Sequence, residues 1–473
     1  MRIHWFSPLA PAPTDIAHYT GRILPALCAR AEVTLWTDQP HWYSGLERQA
    51  AVRRFDPWNF PWEALHGADA AFYNIGNNAL FHRAIGMVSR RFPGFSIMHD
   101  VLLHDSVAFD CKERHDRAAY LEIMQSLYGA RGRRDGELHW KGVLSLLEMG
   151  RVYSCAPFFL ESSLGAIVHS GAAERALAKE VDVPVIRLPL PFPAGRRPPY
   201  RSPEDTAPVT DSPSAPSRVF RGFGGPPAQG HSLTVAAPYT EPGPEGTPSG
   251  SGVWKLVVFG FLGANRCLEQ ILTALSRLED YPFQLHIYGE IQDPGGMAAL
   301  LERLPLAGRV TIHGFVPEVE LDAALASAHL ALNLRYPTKG EASGSQLRIW
   351  SHGLPSLVTR VGWYAELPPD TVSFVRPDFL VEDLCAHLRA YAARPAGYVE
   401  SGLRGHAYFV ERHSPAGYAA KIVELAGQAS AYRQRWNALR ISSRAVEGLQ
   451  GWFPMGRLAG YVDRVAEVVS ELA

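Results

Sequence analysis

Short apolar, β-rich runs alternate with amphipathic helical stretches twice along this chain, and a long stretch of different character separates the two series. Such alternation is the pattern of parallel sheets covered by helices, so it predicts two α/β units. In the first half the expected strands are residues 3–6, 32–36, 70–75, 94–99, 166–169 and 185–190, with a helix over 16–29. The second half starts again with strands over 254–261, 284–288, 310–313, 330–334, 356–359 and 373–375. A chain of 473 residues exceeds what one hydrophobic core supports, which agrees with more than one domain and a cleft between them.

Residues 193–252 are crowded with Pro, Ser, Gly and Thr and hold few long aliphatics. Such a stretch buries too little surface to offset the entropy of ordering, so it is expected to be a largely disordered linker or insertion. Residues 110–161 contain no clear strand and mix Lys112, Arg114, Arg117, Arg131, Arg133, Arg134 and Lys141 with aromatic and aliphatic residues. Helices projecting from the first unit are expected there, either as a solvated face or as a flap for an acceptor or a membrane surface. Residues 418–429 and 458–472 have apolar residues at helical spacing and are expected to pack as helices.

With 47% hydrophobic and 20% charged residues the composition is globular, and the formal net charge of −1 gives no electrostatic reason for nucleic-acid binding. Cys28, Cys111, Cys155, Cys267 and Cys385 are odd in number, scattered and without CxxC spacing. Free thiols in a reducing compartment are therefore expected, and no metal site. The start of the chain lacks signal-peptide character, and no stretch approaches the ~20 apolar residues of a membrane span. A cytoplasmic protein, with peripheral contact to the inner membrane face as an option, is the expectation.

Open α/β sheets bind ligands at the carboxyl ends of their strands, which directs attention to the residues just after each run. Gly340-Glu341-Ala342-Ser343-Gly344-Ser345 leads into an expected helix over 346–352, whose first amides and dipole would face an anion. Arg266, in Gly260-Phe261-Leu262-Gly263-Ala264-Asn265-Arg266, could clamp a pyrophosphate, although on spacing alone an ordinary surface arginine is the default reading. His99-Asp100 ends a strand of the first half, where a structural histidine is the plain alternative to a catalytic one.

Taken in order, the segments around 257–262 with Arg266, Ile287-Tyr288-Gly289-Glu290, Ile312-His313-Gly314-Phe315-Val316, Leu334-Arg335-Tyr336-Pro337-Thr338, 340–347 and Gly362-Trp363-Tyr364-Ala365-Glu366-Leu367-Pro368 resemble the donor domain of glycosyltransferase family 4, the group 1 glycosyltransferases. The first half is similar to that family at Tyr73-Asn74-Ile75-Gly76-Asn77-Asn78, His99-Asp100 and Val168-His169-Ser170. The resemblance implies the α/β GT-B architecture, two Rossmann-like domains whose parallel sheets face across a cleft. It places an acceptor domain at 1–192 with 110–161 as its helical projection, the linker at 193–252, a nucleotide-sugar domain at 253–430, and helices crossing back at 431–473.

It also implies transfer of a sugar from a nucleotide diphosphate to a glycan, lipid-linked or small-molecule acceptor, with retention and without metal or other cofactor, the nucleotide sugar being a substrate. Arg266, Glu341 and His99 then take the catalytic positions. Gly263, Asn265, Gly289, Glu290, Phe315, Tyr336, Ser343, Gly344, Ser345 and Leu347 join Arg266 and Glu341 around the donor, while Asp15, Asn77, His99 and Asp100 face the acceptor. Three positions depart from the family pattern. Arg348 stands where a ribose-binding glutamate is usual, Phe261 where a second diphosphate-binding arginine is common, and Asp15 where a glycine lets backbone approach a ligand. These departures motivate a second reading, a catalytically silent relative that binds nucleotide or glycan or partners an active transferase.

Overall fold

The computed structural model of the chain describes residues 1–194, 253–278 and 280–450, with side chains as far as Ile441. The expected linker at 193–252 therefore lies, but for its first two residues, outside the described residues, as does the expected helix at 458–472.

The first sheet contains β1 (Arg2–Phe6), β2 (Glu32–Thr37), β3 (Ala51–Arg54), β4 (Ala70–Ile75), β5 (Gly94–Met98), β6 (Ser163–Val168) and β7 (Val185–Arg187), in the order β3-β2-β1-β4-β5-β6-β7. Every pairing is parallel. The helices α1 (Asp15–Cys28), α2 (Ala79–Ser89), α3 (His104–Glu113), α4 (Arg117–Trp140), α5 (Leu146–Val152), α6 (Ala156–Leu160) and α7 (Gly171–Leu177) connect them. β4, β5 and β6 are buried along their whole length, which explains their continuous apolar runs. β3 was not anticipated: Ala51-Val52-Arg53-Arg54 is an edge strand exposed along most of its length, so it has no apolar signature.

The second sheet contains β8 (Trp254–Phe259), β9 (Phe283–Tyr288), β10 (Val310–Gly314), β11 (Leu330–Asn333), β12 (Ser356–Thr359) and β13 (Ser373–Val375), again wholly parallel, in the order β10-β9-β8-β11-β12-β13. Its helices are α8 (Leu268–Ser276), α9 (Pro294–Arg303), α10 (Glu318–Ser327), α11 (Gly344–Ser351), α12 (Leu380–Ala393) and α13 (Ala396–Arg412). In each sheet the strand order reverses beside the first strand, between β1 and β4 and between β8 and β11. A crevice opens at the carboxyl ends at such a point.

The last helix, α14 (Pro415–Gln450), runs unbroken through residue 430, where the sequence suggested a boundary. Its first turns already lie against the first unit: Tyr418 Oη and Tyr19 Oη on α1 are 2.8 Å apart. Tyr418, Ala419 and Ile422 share one buried cluster with Ile16, Tyr19 and Ile23. The return crossing therefore begins at Pro415 rather than at 431.

The 110–161 segment is helical and strand-free as expected, but it does not simply project. Tyr120, Leu121 and Met124 of α4 are buried in the same cluster as Tyr73 and Met98 of the first sheet. All five cysteines are free. Among the described residues no helix is long and apolar enough to cross a membrane.

Candidate functional site between the two sheets

The crevice is assembled from loops that are tied to one another before any ligand arrives. The turn after β8 is a 3-10 helix, Ala264–Arg266, and the Asn265 carbonyl accepts from the Tyr336 amide at 2.8 Å, which laces this loop to the one after β11. Gly289 has a φ of +123°, and a Cβ would sit 1.9 Å from the Gly260 carbonyl oxygen, so only glycine permits β8 and β9 to end so close together.

Arg266 is 2% exposed. One guanidinium nitrogen donates to the Phe259 carbonyl at 2.7 Å, while Nε and Nη1 are buried with no hydrogen-bond partner. Burial, together with the nearby Arg335 charge, lowers its pKa to about 10, which leaves it protonated near neutrality. Arg335 lies two residues past the end of β11, and its Nε is likewise buried without a partner. Burial would lower its pKa, but the adjoining Glu341 carboxylate raises it instead.

Glu341 is paired with Arg335 and accepts from Thr338 Oγ1 at 3.0 Å and from the Lys339 amide at 2.6 Å. Burial alone would raise the Glu341 carboxyl; the Arg335 guanidinium and these donors hold it below the ordinary range. Ser343 caps α11 by accepting from the Gln346 amide at 3.1 Å, so Gly344 and Ser345 supply the first helical amides. Tyr364 Oη, 1% exposed, also lacks a partner. Buried polar atoms are nearly always satisfied, so this concentration of unmet donors marks a place where acceptor oxygens belong.

From the first sheet, His99 Nε2 lies 2.9 Å from Asn74 Oδ1, and Asn74 Nδ2 donates to the Phe6 carbonyl at 2.9 Å. That orientation makes Nε2 the protonated nitrogen and leaves Nδ1 as an acceptor. Burial, then the neighbouring His169 and His82, hold the His99 pKa well below its usual value, so the ring is neutral. Asp100 accepts from the Asn77 amide at 2.8 Å, and burial with the Glu341 charge pushes its carboxyl up to about 6. Asp15 is the first residue of α1, and its charge acts on both Arg266 and Arg335.

Several candidates are placed otherwise than the sequence suggested. Asn77 holds a turn: its amide donates to Asp105 at 3.2 Å and its carbonyl oxygen accepts from the Ser106 amide at 3.2 Å, so it has little left to offer an acceptor. Leu347 is fully buried and its amide bonds the Ser343 carbonyl, which makes it core. The exposed Glu290 contributes a carbonyl that accepts from the Leu262 amide at 2.9 Å. Phe315 (79% exposed) and Tyr336 (39%) stand on the rim, at the strand ends with Gly289 and Gly263. Arg348 does not await a ligand: it pairs with Asp322 at 2.8 Å and Glu318 at 3.3 Å, and Glu318 also takes Arg22 of α1 at 2.9 Å.

Two members of the cluster, Arg335 and Tyr364, lie in segments quoted from the sequence but were given no site role there. A charged residue just after a buried strand was the available signal for Arg335. Among the described residues no group of three or more His, Cys, Asp or Glu side chains is placed to hold a metal ion.

No family model matches the chain, and no curated protein matches it in sequence. Solved structures are similar to it in fold. HepE from Anabaena, crystallised with UDP and glucose, aligns over 90% of this chain and 99% of its own at 13% identity, with a TM-score of 0.57. Sucrose-phosphate synthase from Thermosynechococcus elongatus aligns over 91% and 99% at 14% identity, TM-score 0.56. WaaG, a glycosyltransferase involved in lipopolysaccharide biosynthesis, aligns over 89% and 98% at 14% identity, TM-score 0.53. The chain has the GT-B fold.

Proposed function

We propose that this protein is a glycosyltransferase that moves a sugar from a nucleoside diphosphate to an acceptor hydroxyl, with retention of configuration and without a metal. The observation that carries the reading is the pair of guanidiniums, Arg266 and Arg335, with three buried nitrogens lacking acceptors beside the first amides of α11. Two adjacent phosphates match that demand in charge and in hydrogen-bonding sense. The solved neighbours include a protein crystallised with UDP-glucose, which supports the same donor class here.

In the proposed reaction the bond between the sugar's anomeric carbon and the β-phosphate oxygen breaks as the acceptor oxygen bonds to that carbon on the same face. The acceptor's proton passes to the departing β-phosphate. Arg266 and Arg335 neutralise the charge that grows on the diphosphate, while the amides of Gly344 and Ser345 donate to its oxygens. Glu341, held ionised, orients sugar hydroxyls, and His99 Nδ1 accepts from another.

The test is a thermal-shift screen with UDP, GDP and ADP and their sugar conjugates in EDTA, since a ligand bound only by the folded state raises the melting temperature. One nucleotide should stabilise the protein, and Arg266→Ala should remove that shift and cost about 10²–10³ in turnover. No stabilisation by any of them would sink the proposal.

A further inference from the structure

Tyr364 belongs to the short 3-10 helix Gly362–Glu366 that follows β12. Its ring shares a buried cluster with Leu347 and Trp350 of α11, Val358 of β12 and Trp363. Glu366 at the end of the same segment reaches the Gly171 amide and Arg175, so the segment that carries the ring is tied to both units. Buried phenols elsewhere in the chain spend their hydroxyls on carbonyls, Tyr391 on His329 and Tyr73 on Phe92, each at 3.0 Å. Tyr364 Oη bonds nothing. Burying a hydroxyl unpaired is costly, and phenylalanine would fill the same space without that cost. Packing therefore does not account for the oxygen.

The hydroxyl lies close enough to both buried guanidiniums to act on their pKa values, on Arg266 after burial and Arg335, and on Arg335 after burial and Glu341. Neither guanidinium bonds it: Arg266 donates to the Phe259 carbonyl and Arg335 is paired with Glu341. Charge explains why a phenol stands here rather than a third cation. Burial and then the Arg335 charge already lower the Arg266 pKa, and Glu341 offsets only one of the two positive charges. Another cation would add to that repulsion where little water screens it. A phenol brings a donor without a charge. Phe261, which stands where a second diphosphate-binding arginine was expected, is 64% exposed and has no donor to offer.

We propose that the Tyr364 hydroxyl is a further ligand-binding group of this site, donating to an oxygen of the bound diphosphate and supplying, without charge, the donor that Phe261 lacks. The inference rests on the glycosyl-transfer reading for the nucleotide; the demand for phosphate oxygens stands on Arg266, Arg335 and Tyr364 themselves.

The experiment titrates the full chain and Tyr364→Phe with inorganic pyrophosphate and with UDP, GDP and ADP in a calorimeter, and compares the urea midpoints of the two ligand-free proteins. Pyrophosphate should bind the native protein, and about tenfold more weakly to Tyr364→Phe. The ligand-free midpoint of Tyr364→Phe should stand at or above the native one, because the variant no longer buries an unpaired oxygen. That opposition separates a ligand-binding hydroxyl from one that supports the fold. Equal pyrophosphate affinity, no pyrophosphate binding by the native protein, or a lower ligand-free midpoint for Tyr364→Phe would each overturn the assignment. Tyr364-dependent pyrophosphate binding in a protein that binds none of the three nucleotides would instead sink the transferase reading and leave the role of Tyr364 standing.

Discussion

Arg335 and Glu341 form the pair on which the site's electrostatics turn, because each keeps the other charged in a place that water barely reaches. Removing one partner of such a pair strands the other. Arg335→Ala should therefore lose roughly 3 kcal/mol in urea denaturation, and adding Glu341→Gln should recover much of that loss without restoring nucleotide binding. A double variant as unstable as the sum of the singles would show that the two residues act independently. Asp100 poses the opposite problem, a carboxyl whose charge the fold disfavours. Its pKa rises from 3.8 to about 6 on folding, so its neutral form is favoured; this stability is present below pH 3.8 and is lost as pH rises through 6. Asp100→Asn should therefore gain on the native protein between pH 4 and pH 7, by no more than about 3 kcal/mol. Equal denaturation midpoints for the two proteins at every pH would remove Glu341 and burial as the cause.

At the scale of elements, α11 presents the amides and α13 sets where it lies. Gly405 of α13 packs so tightly that a Cβ there would stand 2.2 Å from Trp350 Nε1, and that nitrogen donates to the Thr371 carbonyl at 3.2 Å. Gly405→Ala must push α11 or break that bond, with an expected loss of about 1–3 kcal/mol and a weaker nucleotide shift. Full stability together with a full shift would mean that α11 does not depend on α13. The buried strands were legible in the sequence to within a few residues, because a run of β-rich apolar residues carries its own signal. β3 was not, since its exposed arginines read as loop.

In the whole molecule the two sheets are held by contacts no local pattern reveals. The amides of Val101 and Leu102 both donate to the Lys339 carbonyl at 3.3 Å, and Lys339 Nζ meets Asp105 at 2.6 Å. Glu366 accepts from the Gly171 amide at 2.8 Å and from Arg175 at 2.8 Å. Gly340, with φ of +88°, allows the first of these seams, because a Cβ would lie 2.2 Å from Val101 Cγ2. Gly340→Ala should leave each sheet folded but open the cleft, seen as a larger radius of gyration in X-ray scattering and a weaker nucleotide shift. Scattering and shift identical to the native protein would exclude that seam as the closure contact.

The chain's own order of residues determined that there are two parallel α/β units, where most of their strands run, and that Arg266, Glu341 and His99 stand at strand ends. These follow from periodicity and from the rule that ligands meet open sheets at their carboxyl edges, both readable along the chain. Only the tertiary structure decided the roles of Arg335, Arg348 and Asn77. An arginine is donor to a ligand, partner of Glu341 or clasp for Glu318 according to which carboxylate lies within about 4 Å. Residues brought together by folding, such as Arg22 and Glu318, have no signature in the linear pattern.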